Sequence, residues 1–531
     1  MSRSNEYLSL AGRVRAQAEK RPEARAIITK DRVHSYSEIE RDSNRLAHAL
    51  LSTGAQAGDR VALVLQKSPE AIIAMLACLK AGMLYVPIDP GSPALRAQRI
   101  MDACEPAILL THGPAAALAT ALHPSAGKRR WRVGWLDEVE PTGVLGSADF
   151  GIVDLYSAPD TAPPTPAGGL RPAHILFTSG STGTPKGVVV GQPSILTFID
   201  WANDYFKVQP GDRHSGHAPL HFDLSTFDIF GTLSAGAELH LVPTDLNLLA
   251  PKLAQWIRES ELTQWFSVPS ILTYLVKFDA VAAGDFPSLK RLLWCGEVLP
   301  TPTLRALMHA LPHVTFTNLY GPTEATIASS YYTVPKIPDT DRAEIPIGQP
   351  CGGEALHLID GELYISGDGL ALGYWNDPET TAKAFLSQPE VATGSDGRIY
   401  KTGDLARVGE DGLFYFLGRA DSQIKSRGYR IELGEIEAAL ATMSELRESV
   451  VVALPSDGFE GWTIACAFTS HSGATLPVAE LRKQLGALIP AYMIPSRWAQ
   501  VASLPRTSNG KADRRAVKEL FEAKRGVGAS K

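Results

Sequence analysis

The chain has 531 residues, is 44% hydrophobic and 20% charged, and carries a formal net charge of −6. That length exceeds what one hydrophobic core supports, so two or more domains are expected, and the mild acidity offers no electrostatic footing for a nucleic-acid partner. No apolar run reaches membrane-spanning length, Met1 to Glu6 hold no apolar signal core, and five scattered cysteines (Cys78, Cys104, Cys295, Cys351, Cys466) without a Cys-x-x-Cys pair fit the reduced thiols of a cytoplasmic protein that binds no membrane.

In chain order, Leu8 to Arg21 reads as an amphipathic helix, 26–28 and 34–36 as short strands, and Ser37 to Leu51 as a second helix with Leu46 and Leu50 on one face. A buried strand at Val61 to Leu65, a helix at Glu70 to Leu79 and a strand at Leu84 to Asp89 give the alternation of a doubly wound α/β layer. The Pro- and Gly-rich stretch from about 138 to 171 is a surface excursion. Next comes Phe177-Thr178-Ser179-Gly180-Ser181-Thr182-Gly183-Thr184-Pro185-Lys186-Gly187, between apolar strands. Its glycines let backbone N–H groups approach an anion, its hydroxyls add donors and its lysine adds charge, so it reads as a phosphate cradle. It is not a Walker A loop, because Gly187 and not Ser or Thr follows Lys186.

Strands and helices alternate again from Trp201 to Ser330, and short strands separated by Gly and Asp from Ala355 to Leu417 indicate a β-rich subdomain. The domain boundary falls at Gly418 to Ser422, dividing 1–420 from 421–531. Beyond it, a helix starting in Ile431 to Leu440 and strands at Ser449 to Leu454 and Trp462 to Phe468 make a small α+β domain. The basic tail, Lys524 to Lys531, is expected to be disordered.

Six further motifs stand in order: Leu79-Lys80-Ala81-Gly82 with Tyr85-Val86-Pro87-Ile88-Asp89; Phe222-Asp223-Leu224-Ser225; Asn318-Leu319-Tyr320-Gly321-Pro322-Thr323-Glu324; Tyr400-Lys401-Thr402-Gly403-Asp404-Leu405; Gly418-Arg419-Ala420-Asp421 with Lys425-Ser426-Arg427-Gly428; and Leu504-Pro505 with Asn509-Gly510-Lys511. With the loop, they resemble the adenylation domains of non-ribosomal peptide synthetases, within the adenylate-forming superfamily, over about residues 10 to 515. The resemblance implies a large layered α/β N-terminal domain with a β-rich subdomain, a small mobile C-terminal domain, ATP and Mg²⁺. It also implies two steps: a carboxylate attacks the α-phosphorus of ATP, and a nucleophile then takes the acyl group.

By the same resemblance, Lys511 bridges the substrate carboxylate and the α-phosphate, Thr323 donates to that phosphate, and Glu324 ligates Mg²⁺. Thr178, Ser179, Gly180, Ser181, Thr182, Thr184 and Lys186 hold the departing phosphates. Tyr320 stacks on adenine, Asp404 accepts from the ribose hydroxyls with Arg419 assisting, and Gly296, Glu297, Asn318 and Gly321 complete the nucleotide site. Asp421 is the hinge, and 423–429 face the nucleophile channel. Two anions must meet in the first step, and stabilising charge at a phosphoryl centre is a large term, which is why a lysine suits position 511.

Asp223 would pair with the α-ammonium of an amino acid; the alternative is an N-cap for a helix starting near Ser225. Motif spacing places Leu224, Phe227, Phe266, Leu293, Cys295, Leu319, Ile327 and Ala328 around the substrate side chain. This apolar wall rejects charged and amide side chains, and two phenylalanines make it short. The segments His217 to Ser225 and Trp265 to Ser270 look like free-standing prolyl-activating enzymes. Phe227 and Phe266 stand where those have Leu and Tyr, so alanine competes with proline. No stretch after Arg514 resembles a carrier domain, which implies action on a separate carrier protein through its phosphopantetheine thiol. Transfer to an amine, an acyl- or aryl-CoA ligase, and a non-catalytic nucleotide-binding protein are the alternatives; Asp223 speaks against the CoA ligase, and Lys186, Glu324, Asp404 and Lys511 together speak against the last.

Overall fold

Local signals set the first helices. Ser35 and Glu38 cap each other's backbone at the start of Tyr36–Ser52, and Ser68 caps Pro69–Lys80, where proline occupies a position that needs no N–H. Pro69–Lys80 is buried all round except at its polar ends, Glu70 and Lys80. The computed structural model describes residues 9–122, 131–139, 148–164, 172–180, 185–456, 461–471, 473–506 and 512–528. They divide into two units: Met1–Pro90, Met101–Phe177 and Gly187–Ala420 form one, and Gly91–Ile100, Thr178–Lys186 and Asp421–Lys531 the other.

The first unit contains two large sheets. In the nine-stranded sheet, Glu238–Leu241, Arg213–Gly216, Gln264–Ser267, Arg291–Cys295 and Thr315–Tyr320 run parallel, and Ser330–Thr333 and Gln349–Pro350 close one edge antiparallel. The eight-stranded sheet has Arg60–Val64 between Leu84–Pro87 and Ile108–Thr111, all parallel and almost wholly buried, as strands covered on both faces must be. A five-stranded antiparallel sheet holds the hairpin of Arg398–Val408 and Phe414–Arg419.

In the second unit, Leu446–Pro455 and Trp462–Ser470 pair antiparallel, Arg497–Gln500 adds a parallel strand, and the helix Leu433–Leu440 packs its Ile436 and Leu440 into a core with Val451 and Phe468. A hairpin of Gln423–Ser426 and Tyr429–Glu432 turns through Arg427 and Gly428, both at positive φ (55° and 80°), as a two-residue hairpin turn requires.

Three local expectations change. The helix begins at Leu433, because Ile431 and Glu432 pair with Ile424 and Gln423 as the end of that hairpin. The excursion at 138–171 carries elements of its own: Phe150–Gly151 extends the eight-stranded sheet beside Trp135, and Asp154 caps the helix Ile152–Ser157 by accepting from the Gly151 N–H at 2.7 Å. The helix Arg514–Gly528, anchored by the buried Val517 and Phe521 one turn apart, takes in 524–528 of the basic tail, and 529–531 lie outside the described residues.

Candidate active site

The strand register explains how four distant apolar residues converge. Phe266 pairs with Leu293, and Cys295 pairs with Leu319. Leu293 and Cys295 are two apart, so all four side chains leave the same face of the sheet. Leu224, Phe227, Ile327 and Ala328 join them in one buried cluster; the intervening Trp265, Leu292 and Trp294 pack in a separate cluster. These residues lie toward the carboxyl ends of parallel strands, where open α/β sheets bind ligands.

Asp223 reaches this neighbourhood on a loop. After Gly216 the chain makes tight turns, with Phe222 N–H donating to Pro219 O and Ser225 N–H to Phe222 O. Asp223 sits before the short helix Leu224–Thr226, and its side chain makes no capping hydrogen bond. It accepts instead from the Thr323 hydroxyl at 2.7 Å. Thus the acid expected to meet the ammonium and the hydroxyl expected to meet the α-phosphate stand side by side. A π-turn follows at Phe227–Gly231, a rare geometry that recurs at functional sites. It brings the Phe227 ring to 5.8 Å from that of Phe266.

The segment after Tyr320 is tightly drawn. A Cβ on Gly321 would lie 2.5 Å from the Ala328 Cα, so only glycine fits. Thr326 and Ile327 are β-branched yet hold φ of 49° and 75°, a conformation costing about 1–3 kcal/mol per residue. Ser329 N–H bonding to Tyr320 O at 2.7 Å, and the Cys295 thiol lying 3.7 Å from Ile327 O, help hold it.

Among the residues expected to hold the nucleotide, Asp404 and Arg419 are cross-strand partners, and the guanidinium donates to the carboxylate at 2.7 Å and to Thr402 O at 2.9 Å. The Tyr320 hydroxyl donates to the other Asp404 oxygen. Burial first, and then the Asp404 charge, push the Tyr320 phenol well above its ordinary pKa, so it remains a donor. Asn318 donates to Pro346 O at 2.9 Å, Gly296 turns at φ 96°, and Glu297 accepts from the Ser270 N–H at 3.1 Å at the start of the helix Pro269–Lys277.

Glu324 is 1% exposed and accepts from the Tyr374 hydroxyl at 2.8 Å. Nothing in the sequence marked Tyr374. Its strand, Gly373–Tyr374, pairs with Val188 and Val189 in Lys186–Gly191. A lone carboxylate suits Mg²⁺, which takes few protein ligands and keeps the rest for phosphates and water; no group of three or more potential metal ligands occurs among the described residues. Thr178 ends one strand and Lys186 starts the next. In the second unit the Ser179 hydroxyl donates to Arg430 O at 2.6 Å, tying the start of the loop to the hairpin after Asp421. Gly180 is buried. Ser181, Thr182, Thr184 and Lys511 lie outside the described residues. All five cysteines are buried and unbridged, and no helix among the described residues is long and apolar enough to cross a membrane.

Residues 14–375 match the model of the AMP-binding enzymes, and 435–511 that of the AMP-binding enzyme C-terminal domain. Tyrocidine synthase 3 of Brevibacillus parabrevis is 34% identical over 94% of this chain, which spans 7% of that protein's length. An L-proline–[L-prolyl-carrier protein] ligase of Streptomyces coelicolor is 35% identical over 500 residues, 91% of each protein. Among solved structures, the Vibrio cholerae adenylation domain AlmE in complex with glycyl-adenosine-5'-phosphate superposes with a TM-score of 0.83 at 25% identity, over 97% of this chain and 98% of that one.

Proposed function

We propose that this chain, which belongs to the AMP-binding enzyme family of adenylate-forming ligases, activates a small neutral α-amino acid as its aminoacyl adenylate and passes the aminoacyl group to the phosphopantetheine thiol of a separate carrier protein. The observation that carries this reading is the Asp223–Thr323 hydrogen bond beside the apolar cluster. In an α-amino acid the ammonium and carboxylate share one carbon. A carboxylate placed to attack the α-phosphorus therefore keeps its ammonium close to whatever binds the α-phosphate, and Asp223 beside Thr323 meets that demand. The family membership and the prolyl-carrier ligase relative support the same chemistry.

In the first step the substrate carboxylate oxygen bonds to the α-phosphorus and the bond to the β-phosphate oxygen breaks, releasing pyrophosphate. Lys511 neutralises the two meeting anions, Thr323 donates to the α-phosphate, and the 178–186 loop holds the leaving phosphates. Asp404 and Arg419 fix the ribose, while Tyr320 lies against adenine and steadies Asp404. Glu324 would hold Mg²⁺, which supplies charge neutralisation on the phosphates. Asp421 serves as the hinge on which 421–531 turns between adenylation and transfer to the thiol, so that 1–420 act as the binding core. The short wall made by Phe227 and Phe266 favours proline or alanine.

Amino-acid-dependent ATP–pyrophosphate exchange across the proteinogenic set, with benzoates and fatty acids alongside, tests this. Exchange is expected with proline or alanine, and exchange only with benzoates or fatty acids would refute it. Lys511→Ala should cut exchange by at least ~10²-fold, the order seen when one transition-state donor is lost, while ATP still binds in a direct titration. Near-normal exchange in that variant would remove Lys511 from the role.

A further inference from the structure

Two charged side chains near Asp223 are absorbed by none of these roles. Lys67 follows the strand Arg60–Val64, and its ammonium donates to Gly216 O and His217 O, both at 2.7 Å. Asp228, 5% exposed, accepts from the Ala218 N–H at 3.2 Å. The three backbone polar groups so engaged, in two successive peptides, stand at the carboxyl end of the strand Arg213–Gly216, where its register with Glu238–Leu241 ends, and Gly216 O also accepts from the Val242 N–H at 3.2 Å. Backbone groups leaving a sheet indoors need new partners, and here charged side chains supply them.

The Asp228–Ala218 bond also closes a loop. Asp223 lies midway between those two residues, and Phe227 immediately precedes Asp228. Lys67 fixes one end of the loop to the other large sheet of the unit. Between its ends the turns described above leave the loop little freedom. Burial lowers the Lys67 pKa and raises that of Asp228; Asp228 draws Lys67 back up, and the Ala218 N–H and then Lys67 draw Asp228 back down. The third titratable group here, His217, is held neutral by burial and bonds to the Asn247 side chain at 3.1 Å.

We propose that Lys67 and Asp228 are a positioning pair for the substrate-ammonium subsite: they hold the backbone of Gly216 to Ala218, and through it the place of Asp223, without touching the substrate. The proposal rests on the reading of Asp223 as the ammonium partner. The pair acts on amino-acid binding and leaves the nucleotide end, built on other strands, undisturbed. Removing one member leaves the other buried without its opposite partner, whereas removing both does not.

The test is steady-state exchange kinetics of Lys67→Met, Asp228→Asn and the double variant on the full chain, with Asp223→Ala as control and thermal unfolding of each. Each single variant should raise the amino-acid KM by up to ~100-fold, the scale of a small misplacement of a binding group, with ATP KM and saturating kcat nearly unchanged. The double variant should be no worse than the worse single. An unchanged amino-acid KM, or an equal rise in ATP KM, overturns the proposal. Where a single variant fails to fold, the double supplies the same KM comparison; if the double also fails to fold, the pair is structural and the proposal falls. If Asp223→Ala leaves the amino-acid KM unchanged, the ammonium reading fails first. If Asp223→Ala raises it and neither Lys67→Met nor Asp228→Asn does, only the positioning pair fails.

Discussion

Asp404 and Asp223 are both acids of the first unit that accept from a hydroxyl, yet they are held in opposite ways. Asp404 belongs to a regular hairpin. Its cross-strand neighbour Arg419 supplies the cation directly, and Tyr320 supplies the second donor. Asp223 stands on a chain of turns, meets a hydroxyl from 100 residues away, and owes its place to bonds made at Gly216 to Ala218. Strand register is a rigid support, suited to the nucleotide that we propose Asp404 holds in every turnover. A loop anchored at its ends can be altered residue by residue, which suits the part of a site that distinguishes one side chain from another.

Asp223→Ala should have the largest effect on activity. Leaving an ammonium without its carboxylate costs about 3–5 kcal/mol, or roughly 10²–10⁴ in kcat/KM for α-amino acids. The fold should be unaffected, because Asp223 caps no helix. Unchanged exchange would reduce Asp223 to a turn residue. Arg419→Met tests the other side. It strands Asp404, whose side chain is 4% exposed, so a loss of about 3 kcal/mol of stability is expected with a raised ATP KM. The contrast between the two acids breaks if Asp223→Ala lowers the unfolding temperature as far as Arg419→Met does.

Acid probes the acyl side differently. His214 and His217 flank the end of the strand that leads to Asp223, and burial is the main cause that lowers each pKa from 6.5 to about 3. The unfolded chain takes up these protons below about pH 6.5, and the folded chain does not until about pH 3. Stability is therefore full above pH 6.5 and lost as pH falls through that window, at about 1.4 kcal/mol per pH unit for each histidine. Thermal melts from pH 7 to pH 4 should show the fall. A variant His214→Gln that folds should show a shallower one, and an identical slope would show that His214 is already protonated in the folded chain.

Much of this architecture can be read in the residues. The unbroken apolar run Val61 to Leu65 announces a strand covered on both faces, and the spacing of Leu293 and Cys295 already puts both on one face. Other features depend on partners that sequence distance conceals. Tyr374 reaches Glu324 because its strand pairs with Val188 and Val189. Lys67 reaches His217 from another sheet. The left-handed Thr326 and Ile327 contradict the preference of β-branched residues, so no local rule anticipates them. Ile431 reads as the start of a helix until the turn at Arg427 and Gly428 folds it back as a strand. Local preference decides where the surroundings are indifferent, and tertiary contacts decide at the site.

Phe227 gives the mildest and most selective test of the contrast. Its ring meets Phe198 edge-on at 5.4 Å and lies near Phe266, and Gly231, one turn on, leaves it room: a Cβ there would sit 2.5 Å from the ring. Phe227→Leu removes the ring's far end from the wall that the substrate side chain faces. Apolar pockets discriminate by about 1–3 kcal/mol per methylene, so relative kcat/KM should move toward longer aliphatic amino acids by roughly tenfold or more. ATP KM should stay constant, since Asp404 and Arg419 are held by the hairpin of Arg398–Val408 and Phe414–Arg419, which carries none of the apolar wall. A change in ATP KM would show that the two ends of the site share a support. Unchanged selectivity would mean that Phe227 packs behind the pocket, and the length of the substrate would then be set by Phe266 and by the strained turn at Ile327.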